Sequence, residues 1–289
     1  MKKRLITAIA ILTVLAGLGI LAYPVVSNIL FRNSQLELIE FYEKQVRELR
    51  PEQKSKMLDD CREYNEGLLT SRIRLTDPFD PDSFQVEDEH PYIDLLNQNG
   101  DGAMGSIDIP AINCRLIIYH STDDESLAKG VGHLQGTSLP VGGKGSHCVL
   151  SAHTGTADKE LFTNLDQLRE NDVFYIRVWG EILAYKVDDR KVILPTQTDD
   201  LHIDKEHDYV TLVTCTPYGI NSHRLLVRGT RIPFEQAKKL EEERNTILLD
   251  TWKSQYLYAS LAGVGISVVI IVVIVLVYRR VNRKKRKTE

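Results

Sequence analysis

Two long runs of the chain are mostly apolar and carry no charged residue, namely Leu5–Tyr23 and Ser254–Tyr278. As a helix, the second run would extend roughly 37 Å at about 1.5 Å per residue. That length is sufficient to cross the ~30 Å hydrocarbon core of a bilayer. Basic residues flank the outer side of both runs. The pattern predicts a transmembrane helix at each end, with both termini in the cytoplasm and residues 33–253 outside.

The N-terminal run has a second interpretation, because a basic start followed by an apolar stretch is also typical of a secretory signal peptide. Pro24 could mark the end of such a peptide, but no clear small-x-small cleavage motif follows it. We therefore favour an uncleaved anchor, with its basic tip, over residues 1–32. The C-terminal span at 254–278 is followed by a basic cytoplasmic tail at 279–289.

Apolar residues at helical spacing follow the N-terminal apolar run. Ser34 and Glu37 form a capping box that predicts a helix start, and Pro51 interrupts the pattern. A second helix is predicted over Glu52–Thr70. The helical region and the irregular segment behind it occupy residues 33–101.

From Gly102 the pattern changes to short apolar segments separated by Gly, Pro and Asp. Such spacing predicts a mainly β domain, either a closed barrel or a sandwich, over residues 102–234. A helical stalk is predicted at 235–253. The eight predicted strands are Met104–Ile109, Cys114–Tyr119, His147–His153, Val173–Trp179, Ile182–Val187, Lys191–Leu194, Tyr209–Cys215 and His223–Ile232.

The charge of the chain is divided unevenly. The formal net charge is −4, but basic residues concentrate at the two termini, so the central domain is strongly acidic. An acidic domain disfavours nucleic acid as a partner. The basic tail lies beside an apolar run, which favours a membrane flank.

The four cysteines, at positions 61, 114, 148 and 215, include no C-x-x-C pair and form no disulfide framework. Cys114 and Cys148 lie within apolar strands, where buried and inert thiols are usual. The Cys and His residues also lack the paired spacing of zinc ligands. We predict no metal site, and nothing in the sequence calls for an organic cofactor.

Cys215 differs from the other cysteines because it closes an apolar strand, and Arg224 lies two residues into the next strand. His153 ends another apolar strand about 60 residues upstream. Together these strand ends could supply the thiol, base and cation of a cysteine acyltransferase. If Cys215 pairs opposite Ser222, Arg224 shares the face of the thiol; a slip of one residue would place His223 there instead.

These segments resemble the class C, or pilin-polymerising, sortases. The resemblance covers roughly Asp77 to Ile232 and rests on four ordered motifs. They are Gly136–Gly143, Ser151–Gly155, Leu161–Leu165 and the segment from Cys215 to Arg224. One departure is Ala152-His153-Thr154, where many class C members carry Gly-His-Arg.

The resemblance selects the eight-stranded barrel and assigns roles. It implies Cys215 as nucleophile, His153 as general acid and base, and Arg224 as the cation that holds the substrate or its oxyanion. Asp77-Pro78-Phe79 resembles a lid across the active site, in which Asp77 pairs with a cation and Phe79 covers the thiol. As a bare sequence, Asp-Pro is also a common turn.

The resemblance implies a membrane-anchored transpeptidase facing the cell wall of a Gram-positive organism. Its substrate would carry a Leu-Pro-x-Thr-Gly-like sorting signal, cleaved between Thr and Gly through a thioacyl-enzyme. A lysine amine of another pilin would then form an isopeptide bond. Two alternatives stay open: a housekeeping sortase that attaches surface proteins to a cell-wall precursor, and a non-enzymatic membrane scaffold.

Overall fold

Eight strands close into a barrel in the order β1-β2-β3-β4-β7-β8-β6-β5. The computed structural model describes residues 2–71, 75–80, 91–156 and 158–244. Nearly all of these lie in one unit, Met1–Glu241, whereas the second unit, Glu242–Glu289, falls almost entirely outside the described residues. The strands are β1 Ala103–Ile109, β2 Cys114–His120, β3 Val131–His133, β4 Ser146–Ser151, β5 Val173–Val178, β6 Glu181–Ile193, β7 Asp208–Thr216 and β8 His223–Ile232.

Side-chain alternation divides β4, β7 and β8 into two faces. Leu150, Leu212 and Val227 belong to the main core inside the barrel. The residues next to these three in sequence, Val149, Val213 and Leu226, project to the opposite face of the same strands. They belong to a second buried cluster, which we call the outer cluster. It consists of Leu75, Leu134, Val149, Leu201, Val213 and Leu226. An outer face that is apolar and buried must be covered, and Leu75 of the segment 75–80 is part of that cover.

The strand count was predicted correctly, although two errors in it cancel. Ile182–Val187 and Lys191–Leu194 are not separate strands, because β6 runs through both with a register shift between Val187 and Asp189. The missed strand is β3, which has three residues, pairs parallel to β2 and antiparallel to β4, and thereby joins the two. The closed eight-stranded barrel is confirmed, and the sandwich is not.

Two helices precede the barrel, α1 Lys2–Glu48 and α2 Pro51–Leu68. The predicted helix start at Ser34 is wrong: α1 runs through it, and the Ser34 hydroxyl donates to the Phe31 carbonyl of the same helix at 2.7 Å. The predicted interruption at Pro51 is correct, since proline fits the first turn of a helix, where its missing N–H leaves no bond unmade. Helix α1 is held on the barrel by the Tyr42 hydroxyl, which donates to the Met104 carbonyl at 2.6 Å.

In the part of the chain that the structure describes, no helix combines the length and apolarity needed to cross a membrane. The predicted span at Leu5–Tyr23 falls within α1 and gains no support there. The predicted span at Ser254–Tyr278 and the tail at 279–289 lie outside the described residues, as does the stalk beyond residue 244.

Candidate active site

Cys215 and Arg224 lie directly opposite each other on the antiparallel pair β7–β8. Directly opposed residues project to the same face of a sheet. The register considered above, with Cys215 opposite Ser222, differs from the observed one by two residues, and a shift of two keeps Arg224 on the face of the thiol. Thr216 is the residue opposite His223, so the alternative that placed His223 beside the thiol is excluded.

His153 reaches the same end of the sheet from β4. Strands β4 and β7 are parallel, with Ser151 paired to Val213, so His153 and Cys215 each follow two residues beyond that pair. The His153 carbonyl accepts a hydrogen bond from the N–H of the fully buried Phe162 at 3.1 Å. His153 is thus fixed by the end of the strand on one side and by the loop that follows it on the other.

The loop between β7 and β8 turns back over the histidine segment. It begins with a cis Thr216–Pro217 bond, and Asn221 has a positive φ of 59°. A side chain at Gly155 would place its Cβ 3.3 Å from the exposed ring of Tyr218, and Gly155 itself has a φ of 77°. Glycine is required there both by the left-handed backbone and by the ring above it.

The segment 75–80, which we call the lid segment, contacts Arg224 and His153. The Asp77 carboxylate accepts two hydrogen bonds from Arg224, 2.8 Å from Nε and 2.6 Å from Nη2. The Phe79 ring lies 5.1 Å from the Arg224 guanidinium and 5.7 Å from the His153 ring. Pro78 is buried, and Leu75 anchors the other end of the segment in the outer cluster.

Burial controls the protonation of this closed arrangement. Burial raises the pKa of the Cys215 thiol; Arg224 lowers it in part, while Asp77 raises it again. Burial lowers the pKa of His153, with a smaller opposing effect from Asp124 and a further lowering by Lys159. Burial also disfavours the charge on Arg224, but its bonds and charge interaction with Asp77 outweigh this and raise its pKa. Under the lid segment, a neutral thiol and a neutral imidazole are favoured at neutral pH.

The other three cysteines are poor nucleophiles. All four cysteines are free, but Cys61, Cys114 and Cys148 are buried, whereas Cys215 is partly accessible. Burial raises the pKa of Cys61 and of Cys114 to about 12 and that of Cys148 well above its ordinary value. A thiolate is the reactive species, so Cys215 is the thiol best placed to react.

Acidic residues near the site have structural partners. Asp123 caps the short helix α3, Asp124–Lys129, by accepting the Ser126 N–H at 2.7 Å. Asp188 forms a two-pronged pair with Arg228, with bonds of 3.0 and 3.2 Å.

The sequence alone assigned no role to two residues that lie beside the candidate site residues. Leu75 precedes the recognised Asp-Pro turn, and Thr214 precedes the cysteine; the only available signal was that each adjoins a motif.

A thiol, an imidazole and a guanidinium at the end of a closed β-barrel define the class of protein as a candidate cysteine acyltransferase. The comparisons with known proteins agree with this class. The sortase domain is the family whose sequence profile matches, over residues 107–232. Sortase D of Bacillus subtilis is 29% identical over 134 residues, which cover 45% of this chain and 64% of that protein.

Solved structures extend the similarity to about two thirds of this chain. Sortase C1 of GBS pilus island 1 is 42% identical, with a TM-score of 0.62, and the match covers 68% of this chain and 91% of that one. Sortase C-1 from Actinomyces oris is 44% identical, with a TM-score of 0.59 and coverage of 64% and 100%. The chain belongs to the sortase family of cysteine transpeptidases, and its structural neighbours are class C sortases.

Proposed function

We propose that this protein joins pilin subunits, and that Cys215, His153 and Arg224 carry the reaction. The observation that best supports this proposal is that the three residues come together beside the lid segment, at the ends of β4, β7 and β8. Cys215 attacks the threonine carbonyl of a Leu-Pro-x-Thr-Gly-like signal. As the sulfur attacks, the thiol passes its proton to His153. The Thr–Gly bond then breaks, the glycine amine takes that proton from His153, and a thioester forms on Cys215.

The second half of the reaction resolves this thioester. A lysine amine of another pilin attacks the acyl carbon and gives a proton to His153, and Cys215 leaves as a thiolate that then takes this proton from His153. The products are an isopeptide bond and the enzyme in its starting form. Arg224 stabilises the oxyanion in both halves, an effect worth roughly 3–4 kcal/mol for a well-placed donor.

The lid segment must leave before the reaction starts. Asp77 occupies the Arg224 fork, and Phe79 contacts both Arg224 and the His153 ring. A substrate that displaces the segment would therefore release the cation and expose the thiol together. This arrangement, with the class C neighbours, favours pilin joining over attachment of surface proteins to a cell-wall precursor. A non-enzymatic scaffold would have no use for either feature.

We further propose that the enzyme is anchored in the cell membrane with its catalytic domain facing the cell wall. The support is the pair of charge-free apolar runs with basic outer flanks. Domain boundaries follow the sequence segments given above, with the barrel at 102–234.

The test is labelling of intact cells with a membrane-impermeant sorting-signal peptide that carries a thiol-reactive group in place of the scissile bond. Wild-type protein should be modified at Cys215 and should polymerise pilin. Cys215→Ala should lose both, whereas Cys61→Ala should keep both. Pilin polymers formed by Cys215→Ala would refute the catalytic assignment, and labelling only in lysed cells would refute the orientation.

A further inference from the structure

The ends of β4 and β7 are joined by one side-chain hydrogen bond. Ser151–Val213 is the last paired position of the two strands. Beyond it, the Ala152 N–H donates to the Val213 carbonyl at 3.2 Å. The Thr214 hydroxyl then donates to the Ala152 carbonyl at 2.7 Å, and residue Thr214 is only 3% exposed.

This bond connects the residue before the base to the residue before the nucleophile. Ala152 precedes His153, and Thr214 precedes Cys215. We propose that Thr214 is a positioning residue that fixes the separation of the imidazole and the thiol. The inference rests on the proposed function. Because side chains alternate along a strand, Thr214 projects to the face opposite Cys215 and acts without touching the reacting atoms.

Two described hydrogen bonds join β4 to β7 beyond their last paired position. One runs from the Ala152 N–H to the Val213 carbonyl, and the other from the Thr214 hydroxyl to the Ala152 carbonyl. The first meets β7 two residues before Cys215, whereas the second meets it one residue before. Loss of the hydroxyl leaves a buried carbonyl without its donor and lets the His153 backbone shift relative to β7. A misplacement of about 1 Å between reacting groups can cost on the order of 100-fold in rate.

A matched control exists on the same strand pair. Thr211 is 1% exposed, and its hydroxyl lies 2.8 Å from Nε2 of His147 on β4. Thr211→Val therefore removes a buried contact between β7 and β4 at a position remote from the catalytic ends. Thr214→Val removes the equivalent donor next to the nucleophile, and Thr214→Ser retains the hydroxyl.

The first measurement is the steady-state and single-turnover kinetics of acylation by a sorting-signal peptide, together with urea unfolding. Thr214→Val should lower kcat about 10- to 100-fold with little change in KM. Thr214→Ser should recover most of the rate. Thr211→Val should lose comparable stability and keep wild-type kcat. Thr214→Ala, which lacks both the hydroxyl and a methyl group, is the second variant should the valine fail to fold.

The second measurement is an NMR titration of the His153 ring before and after alkylation of Cys215, which needs no peptide turnover. Alkylation should shift the His153 titration in wild type and in Thr211→Val, and the shift should shrink in Thr214→Val. If Thr214→Val behaves like Thr211→Val in both measurements, the proposal is overturned. If no peptide acylates the wild type but the NMR contrast is present, the proposed function fails and the positioning role stands.

Discussion

Arg224 donates hydrogen bonds from all three of its guanidinium nitrogens. Nε and Nη2 bind Asp77, and Nη1 donates to the carbonyls of Asn221 and His223, each at 3.0 Å. The two carbonyl bonds hold the guanidinium plane against the β7–β8 loop. In the proposed mechanism, displacement of Asp77 frees Nε and Nη2 to bind the oxyanion that forms at Cys215.

We expect Arg224→Lys to impair acyl transfer even though the charge is kept. A lysine ammonium is a point charge and cannot bind two loop carbonyls while presenting a planar fork. The expected loss in kcat/KM is about 100-fold or more. Arg228→Lys is the control, because Arg228 lies on the same face of β8 and forms a similar pair with Asp188. Equal kinetics in the two variants would contradict a role for the Arg224 fork.

The lid segment is a short element held by Leu75 in the outer cluster and by Asp77 on Arg224. Only about a tenth of each side chain in the Asp77–Arg224 pair is exposed, 11% for both. Such a shielded, two-pronged pair is stronger than an ordinary surface ion pair. We therefore expect this pair to contribute much of what holds the segment closed.

We predict that Asp77→Ala and Phe79→Ala speed the alkylation of Cys215 by a small reagent. Loss of roughly 1–2 kcal/mol of closure free energy corresponds to about a 5- to 30-fold rise in rate. Global stability should change little. Asp188→Ala breaks the comparable pair with Arg228 without touching the lid segment, and should leave the alkylation rate unchanged. Unchanged rates in all three variants would reduce the segment to a proline turn.

The sequence indicated most of the candidate site residues, but not the exact geometry in which the strands place them. The apolar strand ends marked Cys215, His153 and Arg224 as candidates, but the resemblance to class C sortases was needed to prefer Arg224 over His223. The face shared by Cys215 and Arg224 is the same in the observed register as in one shifted by two residues. Strand β3 could not be predicted, because three residues give no measurable alternation. Leu75 could not be predicted either, because its role depends on an outer cluster assembled from distant strands.

Across the whole barrel, three histidines are buried within the strands: His120, His133 and His147. His133 contacts the Tyr92 hydroxyl at Nδ1 and the Ser138 carbonyl at Nε2, each at 2.9 Å. Burial lowers the pKa of His133 to about 4, despite its bond to Ser138, and lowers the pKa of the other two. The folded barrel is therefore built around neutral imidazoles.

This arrangement predicts that the barrel loses stability in acid. The unfolded chain binds a proton at His133 near pH 6.5, whereas the folded chain does so only near pH 4, so acidification favours unfolding across that window. His133 alone should account for about 2 kcal/mol of the stability lost between pH 7.5 and pH 5. His133→Gln should remove that share of the pH dependence in urea unfolding, whatever its effect at pH 7.5. A His133→Gln slope equal to that of the wild type would place the acid sensitivity elsewhere.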